Sequence, residues 1–189
     1  MFFSDRDFCV SYNIVKFSGA HMIRQLETAD SKQYYKIRLL GLELHPEAFG
    51  TGAEDWSKVT DEQIISLLQS SNRDDFILGN FENGELVGVI GLKREKKNSV
   101  KHKGTVWGLI VLPEFRNKGL GAKLVTALIE KASAHEELKF IRAVVTNTPA
   151  NSIDIFVSQG FGKYGVEPRG IKKGNDFFDQ TYLGLKLRD

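Results

Sequence analysis

The chain has one cysteine, Cys9, in 189 residues. A lone thiol cannot form an internal disulfide, which excludes a cross-linked secreted scaffold and makes a reducing, cytoplasmic setting the simplest expectation. No stretch approaches the roughly 20 apolar residues that span a bilayer, so no membrane partner is expected. The first residues lack both a basic segment and a clean apolar run, and read as no signal peptide. Charge of one sign is lacking as well: 26 Lys and Arg stand against 24 Asp and Glu, for a formal net charge of +2. With no basic stripe interleaved with aromatics, nucleic acid is not an expected partner. His21, His102 and His135 share no metal-ligand spacing, so no metal is expected. No G-x-S-x-G elbow is present to start serine hydrolysis. Repeats, low-complexity tracts and linkers are absent too, and this length makes a single domain the default.

What is present centres on residues 106–134. An apolar, β-branched run over 106–112 predicts a buried strand, which Pro113 ends. Arg116, Asn117 and Lys118 lie in the turn that follows. Gly119-Leu120-Gly121-Ala122 then leads into Leu124, Val125, Leu128, Ile129 and Ala132 at helical spacing. A strand, a glycine turn and a helix N-terminus make an anion seat, because the first helical N–H groups lack partners and that end of the dipole is positive. Glycines let the anion approach, and Arg116 and Lys118 add charge. The glycines could equally serve only to shape a tight turn. Two familiar phosphate loops fit poorly. No Lys-Ser/Thr pair follows the glycines, as a P-loop needs. Leu124 stands where a dinucleotide fold has its third glycine, and the next strand, 140–146, ends in Thr146-Asn147 rather than an acid.

Along the rest of the chain, Asp30 and Gln33 predict a capping box opening a helix to about Leu44, ended by His45-Pro46. Thr60 and Gln63 predict a second box and a helix to about Gln69. Strands over 76–82 and 86–92 flank Asn83-Gly84, a tight-turn dipeptide. The charged segment 93–103 predicts a solvated hairpin tip. Asn151 predicts the cap of a helix closed by Gly160. Segments 161–166 and 177–187 read as a last strand pair. The pattern is α+β, a mixed, mainly antiparallel sheet with helices on both faces. Trp107 reads as core on the central strand or as the wall of a cleft.

Arg116-x-x-Gly119-x-Gly121 behind an apolar strand, followed by residues 151–161 ending in Gly160-Phe161, resembles the GNAT superfamily of N-acetyltransferases, a bacterial branch of unassigned substrate. The likeness runs over about 22–187. It implies one catalytic domain over 22–189, with 1–21 as an extension that arises from an early start codon or adds a strand. It implies a twisted sheet in which a parallel strand pair splays apart to hold acetyl-CoA as co-substrate. Leu109, Ile110 and Val111 would then bond the pantetheine arm, and Arg116, Asn117, Lys118, Gly119, Leu120, Gly121 and Ala122 would seat the diphosphate. The Ile110 N–H would face the thioester oxygen. Asn147 and Asn151 would contact the arm or hold the splayed strand, with plain helix capping an equal reading for Asn151.

Many members of the family place a tyrosine acid four residues before the Gly-Phe pair. Here that residue is Phe156, which lines the cofactor but cannot donate a proton. A donor role then passes to water, Ser158 or Tyr164. Glu43, His45, Glu47, Glu54 and Asp55 fall near the acceptor site, and Glu47 is the candidate base. The resemblance implies acetyl transfer to the primary amine of a small molecule. Transfer to a peptide or protein amino group, and a CoA-binding sensor that turns nothing over, stay open. Homodimers are common in such folds.

Overall fold

The computed structural model describes residues 15–16, 21–148 and 152–189. Among them eight strands form one sheet in the order β1-β2-β3-β4-β5-β6-β8-β7. These are β1 (Val15–Lys16), β2 (His21–Gln25), β3 (Asp75–Glu82), β4 (Glu85–Arg94), β5 (Lys103–Val111), β6 (Phe140–Thr146), β7 (Gly162–Lys173) and β8 (Asp176–Lys186). All neighbours pair antiparallel except β5 and β6. The helices are α1 (Ser31–Leu44), α2 (Ala53–Ser57), α3 (Asp61–Gln69), α4 (Leu120–Ser133) and α5 (Ile153–Ser158). β2 begins at His21, so the strand starts one residue ahead of the expected domain boundary at 22.

Two apolar clusters cover the two faces of the sheet. Leu124, Val125 and Leu128 of α4 pack on Phe76, Leu78, Ile90 and Leu92. Tyr34 and Ile37 of α1, with Ile64 and Leu68 of α3, pack on Ile77, Phe81, Leu86 and Val89. β4 feeds both clusters, which is why it reads as an unbroken apolar run. The mixed sheet with helices on both faces is as expected.

Local chemistry fixes the hairpin and one helix start. Asn83 and Gly84 turn at φ +52° and +85°, the left-handed pair that a two-residue hairpin needs. Thr60 Oγ1 accepts from the Gln63 N–H at 3.3 Å while Gln63 Oε1 accepts from the Thr60 N–H at 2.9 Å, so this capping box forms.

The box expected at Asp30 and Gln33 does not form. Asp30 accepts the Arg24 fork at 2.6 and 2.8 Å and the Glu27 N–H at 2.8 Å. Gln33 Oε1 instead accepts from the Leu86 N–H at 2.8 Å, tying α1 to the β3–β4 hairpin. Burial alone would raise the Asp30 carboxyl, but the Arg24 guanidinium and the Glu27 N–H hold it below the ordinary carboxylate range.

Two further expectations need correction. The last hairpin is longer than 161–166 and 177–187, because β7 runs on to Lys173. The ladder shifts register between Glu167 and Ile171, with Arg169 at φ +56°. Pro168 sits in this irregular stretch of an edge strand, where a missing donor is tolerated. Nor is segment 93–103 wholly solvated. Arg94 is buried, donating to Asp74 at 2.9 Å, Glu137 at 2.6 Å and the Lys101 carbonyl at 2.6 Å. His135 joins this cluster, with Nε2 2.6 Å from Asp74 Oδ1 and Nδ1 accepting from the Glu137 N–H at 3.3 Å. With Nδ1 an acceptor, the Nε2 proton belongs to the bond with Asp74. The cluster clamps the start of β3, the end of β4 and the loop after α4.

Candidate functional site

β5 and β6 stay paired for four registers only, from Lys103↔Phe140 to Val106↔Ala143. Beyond that point β6 remains paired with β8 as far as Thr146↔Gln180, while β5 follows β4. The two parallel strands therefore splay and open a cleft of about 770 Å³ between them. On the β4 side the register shifts between Val89 and Gly91, opposite Gly108 and Leu109. Gly108 takes φ +66° in this bulge, a left-handed conformation that favours glycine. The bulge sits where β5 backbone faces the cleft.

α4 closes one end of the cleft with its N-terminus. The N-cap is Gly119 at φ +73°, with no side-chain cap, and the first backbone bond of the helix runs from the Lys123 N–H to the Gly119 carbonyl at 3.1 Å. The preceding N–H groups of the first turn thus have no intrahelical acceptor. A Cβ at Gly119 would meet nothing within 4 Å, whereas one at Gly121 would lie 3.0 Å from Ile155 Cδ1 of α5. The two glycines have different reasons: Gly119 shapes the turn and leaves the seat open, and Gly121 admits α5. Arg116 is pinned by a bond from its Nε to the Val111 carbonyl at 3.0 Å.

The cleft gathers Leu109, Ile110, Val111, Arg116, Asn117, Gly119, Leu120, Gly121, Ala122 and Phe156 along its walls. Lys118 does not line it; its ammonium lies 4.9 Å from the Phe115 ring centroid. Asn147 does not line it either. Its N–H donates to the Asp179 carbonyl at 2.8 Å and its Oδ1 accepts from Thr181 at 2.7 Å, which ties the end of β6 to β8. Asn151 lies outside the described residues. Phe156 is buried, edge-on to Phe161 at 5.1 Å. Ser158 donates to the Ile155 carbonyl and Tyr164 is exposed beside Tyr182, and neither residue lines the cleft, although Thr146, Thr148 and Ser152 do.

The opposite end is built by α1 and the loop after it. Gly41, His45, Ala48, Phe49 and Gly50 line this end, facing Trp107. Trp107 is therefore a cleft wall. His45 Nδ1 stands 3.6 Å from Glu47 Oε1, and Glu47 itself does not line the cleft. Glu43 and Asp55 are exposed, and Glu54 pairs with Lys58 at 3.0 Å. Sequence reasoning did not single out Phe49, Gly50 or the buried Arg38 of α1. A stripe at helical spacing, Tyr34, Arg38, Gly41 and His45, was the available signal. Among the described residues no group of three or more His, Cys, Asp or Glu side chains is arranged to hold a metal ion. No described helix is long and apolar enough to cross a membrane.

The model of the Acetyltransferase (GNAT) family matches residues 41–161, from α1 to the start of the last hairpin. The chain belongs to the GNAT acetyltransferase family. It is similar to the L-methionine sulfoximine/L-methionine sulfone acetyltransferases of Pseudomonas aeruginosa and Pseudomonas paraeruginosa. Identity to each is 28% over 132 residues, 70% of this chain and 71% of the relative. Among solved structures, a GNAT acetyltransferase from Streptococcus pneumoniae superposes with TM-score 0.78 at 22% identity, covering 88% of this chain and 98% of that one. The yncA protein of Salmonella typhimurium, a putative acetyltransferase solved with its cofactor acetyl-CoA, gives TM-score 0.78 at 23% identity over 89% and 95% of the two chains. These structures carry the GNAT fold, and the splayed pair and α4 N-terminus are its cleft in this member.

Proposed function

We propose that this chain moves an acetyl group from acetyl-CoA to the primary amine of a small molecule, by direct attack through a tetrahedral intermediate. The observation that carries the reading is the cleft between β5 and β6, closed at one end by the uncapped α4 N-terminus. That end suits a diphosphate, which the N–H groups from Gly119 to Ala122, with Arg116 and Asn117, would hold. Leu109, Ile110 and Val111 offer their backbone to the pantetheine arm as an added strand. The Leu112 N–H donates to the Val87 carbonyl, and Ile110 lies opposite Val89 in the same register, so the Ile110 N–H points at β4; a neighbouring β5 N–H that faces the cleft would stabilise the charge that builds on the thioester oxygen. A fixed donor there gains most as the tetrahedral carbon forms.

His45 lines the acceptor end, so it is the base that takes the ammonium proton, and the Glu47 carboxylate 3.6 Å away would pair with the imidazolium that forms. The N–C bond forms first, moving the carbonyl electron pair onto oxygen; collapse of that intermediate then breaks the C–S bond, whose electron pair leaves with CoA sulfur. A thiol pKa near about 8.5 lets the thiolate depart without a protein acid, which fits Phe156 at this position. Water then protonates it. The Pseudomonas relatives are named for acetylating L-methionine sulfoximine and L-methionine sulfone, which supports a small acceptor. Free-thiol release from acetyl-CoA, measured across amines that include L-methionine sulfoximine and across a peptide panel, tests the reading. Release with small amines and an acetylated product by mass are expected. CoA binding with no release on any acceptor, or release with peptides alone, would overturn it.

A further inference from the structure

Arg38 is 6% exposed, and its Nε and Nη1 have no hydrogen-bond partner. It lies instead among aromatic rings, 5.3 Å from the centroids of Phe49 and Trp56 and 5.8 Å from that of Trp107. Rings attract a cation, but in-plane N–H donors need acceptors with lone pairs. Leaving them unmet in a dry site is costly, and a guanidinium does not escape by losing its proton. A ligand that brings an anion relieves that cost.

The guanidinium lies beside the acceptor end of the cleft. Phe49, Trp107 and Gly108 line the acceptor end of the cleft. A Cβ at Gly108 would lie 3.1 Å from Arg38 Nη1 and 3.9 Å from its Cζ, with no other atom beyond its chain neighbours within 4 Å. Arg38 does not itself line the cleft; with no side chain at 108, its guanidinium lies directly behind this part of the wall, and an added Cβ would press on it.

We infer that Arg38 is the seat for a carboxylate on the acceptor, so that the substrates are short amino acids and their analogues rather than simple amines. The fork of a guanidinium matches a planar carboxylate, which lies in its plane between flanking rings. This inference rests on the acetyl-transfer reading.

The test compares acceptors that differ only in the anion: L-methionine with L-methioninamide, and β-alanine with β-alaninamide. Wild-type protein is expected to prefer the acid in kcat/KM by on the order of 10- to 100-fold, the span of a charged hydrogen-bonded pair. Arg38→Met should collapse that ratio toward one, and Arg38→Lys should keep part of it. Binding is read separately, without turnover. The only two tryptophans, Trp56 and Trp107, both flank the guanidinium, so acids but not amides should shift tryptophan emission saturably. Equal use of acid and amide, no emission change with either acid, or a preference that survives in a folded Arg38→Met protein would overturn the assignment. If Arg38→Met does not fold, Arg38→Lys and the wild-type pairs decide it. Failure of acetyl transfer itself is told apart, because no acceptor would then release thiol while the emission titration still reports on Arg38.

Discussion

Replacing Gly119 with Asp sets the stability of the apo protein against its affinity for CoA. A side chain at 119 meets nothing within 4 Å, so there is no clash to relieve. The cost is conformational, because φ is +73° there. A left-handed residue costs roughly 1–2 kcal/mol, less for Asp than for most. A carboxylate at the start of α4 returns about 0.3–1 kcal/mol from the dipole. The apo protein should therefore lose about 1 kcal/mol, which lowers Tm by about 2–4 °C for a chain of this size. Binding changes far more. One negative charge about 5 Å from a diphosphate charge, at an effective dielectric near 20, adds about 3 kcal/mol of repulsion. CoA affinity should fall at least 100-fold. Calorimetric titration with CoA measures the loss, and thermal melts with and without CoA show that the fold persists. A Gly119→Asp protein that binds CoA within tenfold of wild type would refute the placement of the diphosphate on this helix end.

Four other outcomes can be checked. His45→Gln should lower kcat by about 10²–10⁴-fold and leave CoA affinity intact, as loss of a base requires; unchanged turnover in a pH–rate profile would remove His45 from that role. Phe156→Tyr should change kcat by no more than a few-fold, and a large gain near neutral pH would mean that a missing acid limits the reaction. Asp30→Asn should lower stability by about 2 kcal/mol in urea melts. Because the folded Asp30 carboxyl lies below its ordinary value of 3.8, its contribution is complete above that pH and fades as pH falls through the folded value, so mutant and wild type should converge in acid. Deleting residues 1–20, which include the two-residue strand β1, should still leave a folded and active protein in the thiol assay, and an insoluble product would show that the extension is structural.

Elements whose signals are local were legible in the sequence. The strand over 140–146 and the helix that starts at Thr60 fall where short-range periodicity and the Thr60–Gln63 box put them. The α4 end of the cleft was legible too, because a strand, a turn and a helix start are contiguous. What was not legible depends on partners far away in sequence. Gln33 leaves its capping position for Leu86, 53 residues on. Asp74 meets His135 across 61 residues. Arg38 reads as one polar residue on a helix, and its burial is evident only once Phe49, Trp56 and Trp107 converge from three other segments. The α1 end of the cleft is built by such convergence, so its chemistry was least visible.

The short ladder between β5 and β6 has a mechanical meaning. Four paired registers join the part of the sheet before α4 to the part after it, so the wedge between them is a seam. A long ligand laid in that seam would rivet the two parts together. Bound CoA should therefore slow amide exchange far from its own contacts, along β6 and β8. The protein should also resist pulling across the seam more strongly when loaded than when empty.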